Sequence, residues 1–216
     1  MTLEADQRHF YRECVAAQFN RTLARQREIA ESDPAEARVL EEMEAVRASI
    51  EVRVDLGGRI ERHAFDIERG EMESVTEAKR PPFLVLGHDL RSYPNLRKAC
   101  GDSLLGFLGA LAGLGDEMRL TSLRVRSLRE LAGGLVLELP GEEGFALSAD
   151  FGEAATVGVG EPAPRPRATI RIDAETFARL RSGALDPQEA FLDGRIEVEG
   201  DEGMAIGLAL AAASPI

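Results

Sequence analysis

The chain has 216 residues, of which 44% are apolar and 30% charged, a globular composition that should bury roughly 70% of the surface exposed when unfolded. Acidic residues outnumber basic ones 38 to 26, and the formal charge of −12 argues against a nucleic acid or an acidic bilayer as partner. Cys14 and Cys100 make neither a disulfide framework nor a zinc site, and both are expected reduced and buried.

The polar start of the chain reads as no secretion signal, and the longest apolar stretch, Met204–Ala213, is about half the ~20 residues a spanning helix needs. A cytosolic protein without stable membrane insertion is expected. Phe10, Cys14, Phe19, Leu23 and Ile29 recur at spacings near three and four, which predicts an amphipathic helix over 5–31. Asp33, Pro34 and Glu36 then supply an N-cap, a first-position proline and a glutamate placed to cap back, opening a second helix. Residues 1–48 are thus expected to form a helical hairpin.

From Ile50 the period becomes two: Ile50, Val52, Val54 and Leu56 alternate with charged residues up to the turn at Gly57-Gly58. His63–Ile67 and Pro82–Leu86 continue as strands, and a helical stretch runs from Asp89 to about Leu111. Strands recur at Leu135–Leu139, Phe145–Phe151 and Ile170–Ile172. Two short helices follow, the first capped by Asp173 and ended by Gly183, the second opened by Asp186-Pro187. Ile196 and Val198, then Met204, Ile206, Leu208 and Leu210, predict a closing β-hairpin around Gly200–Gly203.

Parts of the chain repeat. Arg80-Pro81 matches Arg165-Pro166 at an offset of 85, Phe107-Leu108 matches Phe191-Leu192 at 84, and Gly115–Met118 matches Gly200–Met204 once an extra glycine is allowed. Phe65 is paired with Phe145, at 80, on the expectation of a longer linker in the second copy.

The ordered string Ile170–Phe177, Leu180–Phe191 and Leu192–Gly200 resembles the sterol carrier protein 2-like family, whose C-terminal half has a strand, an acid-capped helix and a Gly-x-Leu-Asp-Pro-x-x-Ala-Phe segment. About 50 residues match closely; 128–168 agree in strand pattern only, and 49–127 look like a degenerate copy. The resemblance implies an α+β fold, an antiparallel-rich sheet with helices on one face, duplicated as 49–127 and 128–216 behind the hairpin 1–48. It also implies an apolar tunnel between sheet and helices, walled by Phe177, Leu180, Phe191, Ile196, Met204 and Ile206, for a fatty acyl chain, sterol, phospholipid or isoprenoid quinone. No cofactor or metal is implied.

Catalytic readings fail on their own chemistry. Gly101-Asp102-Ser103-Leu104 spells a serine-esterase signature, but His9, His63 and His88 all precede Ser103, whereas that family's histidine follows its serine. His88-Asp89 has no further ligand at metal spacing, Gly158-Val-Gly160 lacks the third glycine of a dinucleotide turn, and the acidic stretch Glu68–Glu77 has no calcium-loop spacing. The expectation is therefore a non-catalytic binder of an apolar molecule. Its rival is an accessory module that binds a protein partner with the tunnel closed. The first needs an enclosed cavity beneath Phe177 and Phe191, the second an exposed apolar patch.

Overall fold

The computed structural model describes residues 2–111, 118–152 and 167–213. The N-terminal helices are α1 (Leu3–His9), a π turn (Phe10–Cys14), α2 (Val15–Ala30) and α3 (Pro34–Glu44), the last capped by Asp33, whose carboxylate accepts from the Ala35 amide at 2.9 Å. Cys100 is buried, as expected, but Cys14 is only partly so, and neither is in a disulfide.

Eight strands follow among the helices: β1 (Arg47–Asp55), β2 (Ile60–Glu68), β3 (Glu71–Val75), β4 (Leu84–Asp89), β5 (Gly133–Leu139), β6 (Phe145–Phe151), β7 (Ala168–Ile172) and β8 (Ile196–Gly200). They make one sheet in the order β3-β2-β1-β4-β6-β5-β7-β8. The acidic stretch around Glu71 is an edge strand, where charge suits an unpaired side. Alternation puts Ile50, Val52, Leu84, Leu86, Leu135, Leu137 and Ile170 on one buried face, and Glu51, Arg53, Ser148, Glu138 and Arg171 on the other.

One pairing pattern occurs twice. β1 pairs antiparallel with β2 and parallel with β4; β5 does the same with β6 and β7. Ile50 stands opposite Phe65 and Leu84, and Leu135 opposite Ala149 and Ala168, so equivalent residues lie 84 or 85 positions apart. By this register Phe65 answers to Ala149, not to Phe145. The turn between β5 and β6 is one residue shorter than that between β1 and β2, and the offset is 84 on both sides of the β6–β7 connection, so the longer linker expected there is not needed. β4 and β6 join the two patterns, antiparallel, with Leu84 opposite Phe151.

The helices after the second pattern are α7 (Ala174–Arg181) and α8 (Pro187–Leu192); after the first, α4 (Tyr93–Cys100) and α5 (Gly106–Leu111), followed by α6 (Ser122–Glu130). The expected continuous helix over 89–111 is broken at Gly101, whose φ of +61° takes the chain out of the helical region. At the same offset of 84, Asp89 and Asp173 each cap the turn that follows, accepting from the amides of Ser92 and Thr176 at 2.6 and 2.8 Å.

The closing hairpin does not form. Residues Glu202–Ala213 are a helix, α9, begun by Asp201, which accepts from the Met204 amide at 3.0 Å. The alternation over 204–210 was one of size and not of polarity, because Ala205, Gly207 and Ala209 are apolar or neutral too. A capped run rich in Ala, Leu and Met takes the helix instead. Met204 and Leu208 then face the core together, one turn apart, while Ile206 and Leu210 face outward.

Candidate functional site: an apolar groove under α8 and α9

β7 and β8 form the floor of a groove with α8 and α9 as its walls. Ile170 sits opposite Val198 and Ile172 opposite Ile196 on the helix-covered face, and because β8 is the last strand, Ile196 and Val198 are only half covered. The groove has a volume of about 600 Å³ and opens to solvent on one side. Besides Ile170, Ile196 and Val198 it is lined by Leu111, Pro187, Phe191, Leu192 and the α9 residues Ala205, Ile206, Ala209 and Leu210, with Asp186 and Gln188 as polar groups.

The rim is unusually apolar: Phe191 is 41% exposed, Ile206 50%, Leu210 66% and Leu192 75%. Asp186, at one end, is committed to capping α8, accepting from the amides of Gln188 and Glu189 at 2.9 and 3.0 Å.

Of the six residues expected to wall a site, Phe191, Ile196 and Ile206 line the groove. Phe177, Leu180 and Met204 are buried in the main core and do not line it. Phe177 packs edge-on against Phe145, ring centroids 6.2 Å apart, beneath a second cleft of about 560 Å³ between α4 and α7. That cleft is ionic at its mouth, where Lys98 and Glu143 pair at 2.7 Å. Val198, Leu192 and Leu210 are groove residues missing from the expected six. The strand alternation marks Val198, but Leu192 and Leu210 needed α8 and α9 in place.

In the first half, Tyr93 and His88 stand 84 residues before Phe177 and Ile172, and this region is filled. Phe10 and Tyr11 of the π turn lie against Tyr93 at 6.1 and 6.4 Å between ring centroids, and the Arg97 guanidinium lies 4.2 Å above Phe10. The remaining cavity among Tyr11, His88, Tyr93 and Ser103 is about 30 Å³, room for one water. His88 Nδ1 donates to the Asp89 carbonyl at 2.8 Å, and its Nε2 accepts from the Tyr11 hydroxyl at 2.6 Å. Both nitrogens being used, His88 offers no base to Ser103, and the space admits no ester. Burial holds His88 below the usual histidine range and His63 down to about 4; it raises Tyr11, and raises Tyr93 to about 12. Among the described residues no group of three or more His, Cys, Asp or Glu could hold a metal, and no helix is long and apolar enough to cross a membrane.

The segment that contributes every element of the groove except Leu111 also carries a family likeness. Residues 120–211 match the SCP-2 sterol transfer family. Among curated proteins, Hydroxysteroid dehydrogenase-like protein 2 of Danio rerio is 36% identical over 56 residues, 26% of this chain and 14% of that protein. Its Homo sapiens namesake is 31% identical over 74 residues, 34% of this chain and 18% of that one. The chain therefore spans less than a fifth of the length of these relatives. Among solved structures, Sterol Carrier Protein 2 Like 2 of Aedes aegypti is 20% identical, covering 40% of this chain and 86% of that one with a TM-score of 0.28. Sterol Carrier Protein 2 of Yarrowia lipolytica in its apo form is 18% identical, covering 39% and 75% with a TM-score of 0.29.

Proposed function

We propose that this chain binds an apolar molecule, without transforming it, in the groove between β7, β8, α8 and α9. The observation that carries this reading is the groove's lining: a floor of Ile170, Ile196 and Val198 and walls of Phe191 and Ile206, at a volume within the ~300–1,000 Å³ of small-molecule sites. The sterol transfer family matched by 120–211 supports the same class of ligand: a fatty acyl chain, sterol, phospholipid or isoprenoid quinone. A ligand of about 20–28 heavy atoms at about 0.3 kcal/mol per atom gains roughly 6–8 kcal/mol, near micromolar, weak enough to exchange in the cytosol. With a ligand in place, α8 settling toward α9 would turn the open groove into a tunnel.

The domain reading belongs to the same proposal: 49–127 and 128–216 are two copies of one unit behind a helical hairpin at 1–48. The constant offset of 84 to 85 residues across ladders and caps supports it. In the first copy Leu108, which answers to the groove's Leu192, is buried, and the second copy carries the function.

The test is a titration with an environment-sensitive fluorescent fatty acid, followed by displacement with an unlabelled sterol, phospholipid and quinone. Saturation at one site per chain near micromolar, weakened about tenfold by Ile196→Glu or Ile206→Glu, is the expected result. Unsaturable uptake, or uptake indifferent to both variants, would overturn the proposal.

A further inference from the structure

We propose that the outward side of α8 and α9 is a docking face for an amphipathic helix of a partner protein, and that this partner helix presents a basic polar side. The proposal stands on the repeat and on the rim, and goes beyond the groove's ligand.

The internal repeat shows what covers this position elsewhere. Leu108 in α5 and Leu192 in α8 are equivalent, 84 residues apart. Leu108 is fully buried, because α5 packs against two helices of the next unit, α7 and α9. Leu192, on the second unit, is 75% exposed. The same side chain at the same place is thus a helix-covered position in one half and, among the described residues, a bare one in the other.

α9 points the same way. After Glu202 it carries no charged residue, and a helix apolar all round is ordinarily covered on every side. Its inner side, Met204 and Leu208, is buried, whereas Ile206 and Leu210 stand outward one turn apart. They face Phe191 and Leu192 across the groove, so two apolar ridges flank a channel into which the apolar side of a third helix fits.

Charge selects the occupant. Asp186, Glu189, Asp193 and Glu202, on α8, α9 and their ends, are all exposed, and Arg195 beside them pairs with Asp193 at 3.8 Å. On a chain of net charge −12 such a rim attracts a helix bearing Lys and Arg, and is repelled by an anionic bilayer.

The experiment uses the full chain and two synthetic helical peptides with the same leucine-rich side, one with Lys and Arg on its polar side and the other with Glu. Binding is followed by fluorescence anisotropy at low and at physiological salt, with neutral phosphatidylcholine vesicles as a third probe. The basic peptide should bind, more weakly with added salt, and Leu192→Glu, Leu192→Lys and Leu210→Glu should each reduce binding about tenfold or more, while the acidic peptide does not bind. These side chains are exposed, and unchanged thermal melts show that the variants fold. Basic-peptide binding that survives all three variants is mere charge attraction and overturns the proposal. So does binding of neither peptide, or variant-sensitive binding of the vesicles in place of the peptide. Fatty-acid uptake is read in parallel samples without peptide, because both occupants would share the channel: uptake that fails there while the peptide docks rejects the ligand reading alone, and the converse rejects the docking face alone.

Discussion

The Tyr11 hydroxyl and His88 Nε2 lie 2.6 Å apart with both side chains buried, joining the N-terminal π turn to the end of β4 across 77 positions of sequence. With Nδ1 spent on the Asp89 carbonyl, Nε2 has Tyr11 as its donor. Tyr11→Phe keeps the ring and strands that nitrogen, and should lower stability by about 1–3 kcal/mol in urea denaturation, with groove binding unchanged. A variant as stable as the parent would contradict the bond.

Acid should loosen the same region. Gln7 Nε2 lies 2.8 Å from His63 Nε2, and burial keeps His63 neutral, its pKa lowered to about 4; His88 is lowered too. The unfolded chain therefore takes up these protons first, near pH 6.5. Stability is full above that value and falls as pH drops toward 4, by about 1.4 kcal/mol per pH unit for His63, with His88 acting in the same direction. The equivalent of His63 in the second half is Leu147. A His63→Leu chain should show a flatter melting temperature between pH 7 and 4 than the parent; an equally steep decline would remove His63 as a cause.

Asp173 holds α7 in register. Its carboxylate accepts from the Thr176 hydroxyl at 2.6 Å and the Thr176 amide at 2.8 Å, and these bonds, the hydroxyl's first, keep it below the usual carboxylate range. Asp173→Ala should lose about 1 kcal/mol, and Asp173→Asn much less, measured by chemical denaturation. Equal losses would assign the effect to charge instead of capping.

Much of this architecture was legible in the sequence. Caps at Asp33, Asp173 and Asp186, and period-two alternation from Ile50, depend on neighbours in the chain, and those elements formed where local chemistry puts them. Met204 and Ile206 were misplaced because size alternation in an all-apolar run does not separate strand from helix; Asp201 decides it. Phe177 and Leu180 share the buried side of α7, but helical spacing fixes a direction, not whether the side chain meets a groove or a packed core. Leu192 was beyond reach, since its exposure follows from the absence of a further unit beyond α8 among the described residues.

That division has a measurable consequence. Phe177→Ala and Leu180→Ala empty a packed core and should cost about 2–5 kcal/mol. Phe191→Ala and Ile206→Ser lie on the rim and should change stability by only about 0.5 kcal/mol while weakening uptake of an apolar probe. Uptake that tracks Phe177 in a chain that stays folded, and ignores Ile206, would move the site from the groove to the α4–α7 cleft.

The most direct measurement is native mass spectrometry, with organic extraction, of the full chain purified from cells and then incubated with acyl chains, sterols and quinones. The proposed function predicts one apolar molecule per chain, absent from an Ile196→Glu, Ile206→Glu double variant that melts like the parent. A mass that stays that of the bare chain through every incubation would contradict it.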